Sequence, residues 1–65
     1  MQVFIILEEN HGMGATVEKV FSNRNAARKF VIKDRFAGND YYANFDEVTL
    51  NKYADEHIED AFIED

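Results

Sequence analysis

A chain of 65 residues has room for one domain, because at this length folding hides only about 60% of the surface that the unfolded chain exposes. Its 46% hydrophobic content, with six phenylalanines and three tyrosines, sets it apart from disordered chains, while the lack of cysteine excludes disulfide and zinc-thiolate staples and leaves stability to apolar packing or self-association. The net charge of −6 argues against direct nucleic-acid binding, which needs surplus Lys and Arg against phosphate.

Residues 2–8 centre on the β-branched and aromatic run Val3-Phe4-Ile5-Ile6, followed by Leu7, which predicts a central strand. Their apolar run, Val3-Phe4-Ile5-Ile6-Leu7, is too short to span a bilayer and lacks the flank of a signal peptide, so no membrane association and a cytoplasmic location are expected. Glu9-Asn10-His11-Gly12-Met13-Gly14 clusters turn formers and predicts a hairpin loop. Residues 15–21 predict a second strand, in which Val17 and Val20 fall out of strict alternation and imply a bulge or a twist.

Ser22 stands where a helix N-cap belongs, and the spacing predicts a helix over 23–36 that Gly38 terminates. Ala26, Ala27, Phe30 and Val31 would face the sheet, with Arg24, Arg28, Lys29, Lys33 and Arg35 outward or flanking. After the Gly38-Asn39-Asp40 turn, Tyr41 and Tyr42 begin an extended stretch, and residues 45–50 are expected as strand three, with Asp46 and Glu47 near its start. Leu50, Tyr53, Ala54, His57, Ile58, Ala61 and Phe62 recur at offsets of three and four, which favours an amphipathic helix over 51–63, with a strand there as the alternative.

The expected fold is one α+β domain over residues 1–65, a three-stranded antiparallel sheet in the order β-β-α-β-α with one or two helices packed on it. Phe4 and Ile6 then project opposite Val3, Ile5 and Leu7, so either the second helix covers that side or another subunit does.

Charge is distributed unevenly. Residues 1–45 hold five acids and six bases, a balance of +1, whereas residues 46–65 hold eight acids and Lys52 alone, a balance of −7. On a C-terminal helix, Asp55, Glu56, Glu59, Asp60 and Glu64 would form one acidic face, the candidate partner-binding residues. Such a stripe can imitate a nucleic-acid backbone and occupy a basic groove on a DNA- or RNA-binding protein; the plainer expectation is a solvated face. The bases of the first helix would meet these acids within one molecule or across a dimer.

Catalytic chemistry finds little support. His57 with Glu56 and Asp60 has the residue types of a metal site, but two neighbouring ligands rarely suffice, and no metal or cofactor is expected. The loop His11-Gly12-Met13-Gly14 lacks the Lys-Ser/Thr of a phosphate-binding loop and reads as a plain turn. Ser22, the lone serine, is assigned to capping, and no nucleophilic triad can be assembled. Tyr41, Tyr42 and Phe45 form an aromatic cluster suited to the core or to an interface.

An N-terminal strand, a short glycine loop, and Val20-Phe21-Ser22 leading into a helix with Ala26-Ala27 and Phe30 together resemble short bacteriophage accessory proteins over the first half of the chain. The resemblance implies a protein without a catalytic centre that binds and modulates a host protein in the host cytoplasm; the acidic C-terminal segment departs from that pattern. The expectation is therefore a non-enzymatic binding protein, acting on a protein partner with a basic surface. A structural, self-assembling homo-oligomeric module is the second expectation.

Overall fold

The computed structural model describes residues 1–10, 12 and 14–64, with the backbone alone for residues 9 and 10. Strand β1 (Gln2–Asn10) lies at the centre of an antiparallel sheet, between β2 (Gly14–Phe21) and β3 (Ile58–Phe62). Helix α1 (Arg24–Val31) continues into a wider π-type turn over Ile32–Phe36, and a 3-10 turn (Asp40–Tyr42) precedes α2 (Glu47–Asp55). The α+β class, the three-stranded antiparallel sheet and the helices packed on it are as the sequence implies. Along the chain, however, the last helix precedes the last strand, so the order observed is β-β-α-α-β.

Asn10 pairs with Gly14 across the hairpin, and Gly12 and Gly14 take φ of +75° and +74°, the left-handed region in which glycine meets no steric penalty. His11 and Met13 of the expected loop lie outside the described residues. The expected bulge is present: Ile6 pairs with Lys19 but Leu7 pairs with Val17, so Glu18 is the extra residue of β2.

The cap of α1 is Asn23, one residue beyond the expected Ser22, and its side-chain oxygen accepts the Ala26 N–H at 3.0 Å. Either residue type can cap; Asn23 is the one with extended backbone angles immediately before the helix. At the other end the Ala37 N–H reaches the Ile32 carbonyl at 2.8 Å and Gly38 takes φ of +78°, as its position implied.

The second half departs most from expectation. Tyr41 and Tyr42 lie in the 3-10 turn, whose Asn39 side chain accepts the Tyr41 N–H at 2.9 Å, and are not extended. Residues 47–50 open α2 and form no strand, because Asp46 caps that helix and accepts the Thr49 N–H at 2.8 Å; this local bond overrides the strand preference of Val48 and Thr49. The helix expected over 51–63 ends at Asp55, and residues 58–62 are strand. Leu50, Tyr53 and Ala54 do share a helical face, but the chain beyond His57 is drawn into pairing with β1. A lone hairpin is marginal in water, and a third strand supplies hydrogen bonds to the otherwise bare edge of β1.

The core is one layer between sheet and helices. Phe4 and Ile6 project from β1 onto Ala27, Val31, Phe36 and Ala54, all buried, with Phe21, Phe30, Leu50, Tyr53 and Ile58 around them. Cross-strand partners share a face, so Phe21, opposite Phe4, and Ile58, opposite Ile6, lie on this same side. The molecule is a slab, with principal extents of 41 × 29 × 14 Å.

Candidate interaction surface

The five candidate acids are not brought onto one face. Asp55 ends α2, Glu56 follows it in the turn, Glu59 and Asp60 are successive β3 residues on opposite faces of the sheet, and Glu64 lies beyond β3. Two of the five are committed within the molecule. The Asp55 carboxylate accepts both Nε and a terminal nitrogen of Arg28 at 2.7 Å, and Arg24 stands 3.5 Å from it. Asp60 pairs with Arg24, whose guanidinium also lies 4.8 Å from the Phe4 ring centre. Arg24 and Arg28 thus meet C-terminal acids inside one molecule, whereas Arg35 pairs with Glu18 and Asp34 instead. Hydrogen bonding by Arg28, helped by its charge and that of Arg24 and opposed by burial, holds the Asp55 carboxyl below the ordinary carboxylate range. The same bond raises the Arg28 guanidinium. Hydrogen bonds from the Thr49 side chain and backbone likewise lower Asp46. Glu56, Glu59 and Glu64 remain exposed.

His57 does not join Glu56 and Asp60 in a metal site. It is half-buried in the turn after α2, with its ring edge-on to Phe36 at 6.0 Å, and its carbonyl accepts the Leu7 N–H at 3.2 Å. Among the described residues no three His, Cys, Asp or Glu side chains converge as metal ligands. His11 lies outside the described residues. Depressions on the helical side are open and shallow, about 230 Å³ beside Ile32, Phe36, Tyr42 and Leu50 and about 330 Å³ beside Phe30, Lys33 and Asp34. Pockets that enclose organic ligands run from about 300 to 1,000 Å³ and bury most of the ligand.

The other face of the sheet presents a different chemistry. Val3, Ile5 and Leu7 alternate with Phe4 and Ile6 and so project away from both helices, Val3 buried at 4% exposed and Ile5 and Leu7 half-buried. Pairing places half-buried Ala61 opposite Val3, Val20 opposite Ile5 and Val17 opposite Leu7. Reciprocal backbone bonds of 2.8 Å between Met1 and Ile63 extend the ladder by one pair. The bulge decides the composition of this face: without it Glu18 would point here and Val17 toward the helices. With it, Glu18 reaches Arg35 at 2.6 Å on the helical side, and Arg35 also donates to the Leu7 carbonyl at 2.8 Å. Val17 and Val20 are left 60% and 48% exposed, and Glu59, opposite Ile5, is the one charged side chain among the described residues of the face. Both helices pack on the far side, so the second helix does not cover it. The sequence raised the side of Phe4 and Ile6 as the one needing cover; the structure packs that side against the helices and leaves the opposite one open. The sequence did not reveal Ala61 and Ile63, whose segment was expected to be helical.

Compared with protein families, curated proteins and solved structures, the chain matches none. No helix among the described residues is long and apolar enough to cross a membrane.

Proposed function

We propose that this chain is a non-catalytic binding protein whose contact surface is the open aliphatic face of the sheet, with the acidic residues at its margin. The observation that carries this reading is the row Val17, Val20, Ile5, Leu7 and Ala61, left without a covering layer on a chain whose other sheet face is packed. Contiguous apolar surface on a sheet face is a common mark of contact with another protein. An acidic helical stripe carries the reading less well, because Asp55 and Asp60 already hold arginines. Glu59 lies on the face itself, opposite Ile5, and Glu56 and Glu64 are exposed; exposed charge of this kind tunes encounter more than affinity.

The test compares two variants in affinity capture of protein partners from cell lysate by the tagged chain. Val17→Asp with Val20→Asp should abolish capture, whereas Glu56→Lys with Glu64→Lys should keep the same partners and alter only their salt dependence. Loss of capture by the acid variant alone would return the contact surface to the acidic segment.

A further inference from the structure

The occupant of the open face can be named from area, edge chemistry and charge. Resting on the reading of that face as the contact surface, we infer that it is covered by a second copy of this chain, in a face-to-face dimer of four layers, helices outside and two sheets within.

Area comes first. A compact folded monomer of 7.6 kDa exposes about 4,300 Å², by the scaling of surface with mass. This chain exposes 5004 Å², roughly 700 Å² more, close to the ~800 Å² that each partner contributes to a stable interface. The slab shape is the geometric cause: the radius of gyration is 12.6 Å where a globule of 65 residues has about 10.7 Å. Two slabs joined across the open faces restore compactness, with the sheets about 10 Å apart as in other sheet-on-sheet cores.

The edges of the sheet are unsuited to the same purpose. β2 carries the bulge with Glu18 and Lys19, and β3 has five residues that include Glu59 and Asp60; bulges, short strands and charges are the devices that block edge pairing. The face, in contrast, is aliphatic and self-complementary, which suits the two-fold contact most common among oligomers. An axis running along β1 sets β3 of each copy over β2 of the other. Glu59 then faces the aliphatic Val17 and Val20 margin of the partner's β2 and not a second Glu59. The remaining acids lie at margins or on the helical side, where salt screens them over about 8 Å.

Sedimentation equilibrium of the full chain over a hundredfold dilution tests this, at low and high sodium chloride. The expected result is a monomer–dimer equilibrium that tightens with salt. Val17→Asp with Val20→Asp should weaken it at least a hundredfold, and Val48→Asp, the same change at an exposed residue on the helical side, should leave it unaltered. Near-ultraviolet dichroism of the tyrosines reports whether the double variant is folded; if it is not, Val17→Thr with Val20→Thr replaces it and should weaken the dimer at least tenfold. A wild-type monomer at every concentration overturns the second-copy assignment; if lysate capture still depends on Val17 and Val20, the contact-surface reading survives it. A dimer that tolerates the sheet-face changes but is lost in Val48→Asp overturns both.

Discussion

Replacing Ile6 by alanine probes the packed side of the sheet at its centre. Ile6 is wholly buried, flanked in the ladder by Lys19 and Ile58, and belongs to the cluster with Ala27, Val31 and Ala54. The substitution removes three carbons, about 2.4 kcal/mol at ~0.8 kcal/mol per buried methylene, and an imperfectly collapsed cavity raises the loss to roughly 3–4 kcal/mol. A domain this small has only about 3–5 kcal/mol of net stability, so Ile6→Ala should leave a large unfolded fraction without denaturant. Val20→Ala removes two carbons from a residue that is 48% exposed and should cost under about 1 kcal/mol in the monomer. Urea titration followed by far-ultraviolet dichroism at low protein concentration measures both, with the slope unchanged for Val20→Ala. A midpoint for Ile6→Ala no lower than that for Val20→Ala would refute the assignment of the two faces.

Three further outcomes are expected. The folded Asp55 carboxyl binds a proton less readily than its unfolded counterpart, so its stabilising contribution is complete above about pH 4 and is lost as pH falls through the lower folded value; Asp55→Asn should flatten the acid limb of the urea midpoint against pH, and an unchanged limb would contradict the Arg28 pairing. Asn23→Ala should lower stability by about 1 kcal/mol through loss of the α1 cap, and Asn23→Gly by only a few tenths, as read by thermal melting. At Gly38, with φ of +78° and no atom within 4 Å of an added Cβ, alanine meets backbone strain alone and should cost about 1 kcal/mol, with asparagine less harmful.

The first half of the chain was legible because its signals are local and agree. An apolar, β-branched run at residues 3–7, a glycine loop and a capped helix with alanines at helical spacing each select one structure. Even the bulge could be read from Val17 and Val20, because two valines three residues apart can share one face of a strand only if an extra residue intervenes. The second half was legible in composition but not in order. Asp46 looked like the polar start of a strand because its role as a cap depends on a helix following it, and Val48 and Thr49 argue locally against one. Residues 58–62 carry apolar side chains at a spacing compatible with helix, and only the unpaired edge of β1, which is distant in sequence, makes them a strand. The acidic site was lost for the same reason, since a stripe defined by helical spacing dissolves when Glu59 and Asp60 alternate across a sheet. Arg24 and Arg28 then claim two of its members, a long-range pairing that charge counting anticipates only as a possibility.

Methyl spectra of the isoleucine-, leucine- and valine-labelled chain, recorded along a dilution series, test most directly the claim that a second copy of the chain covers the open sheet face. The methyls of Ile5, Leu7, Val17, Val20 and Ile63 should shift with concentration while those of Ile6, Val31 and Leu50, on the packed side, hold still. Shifts confined to Val48 and the helical side, or none at any concentration, would contradict it.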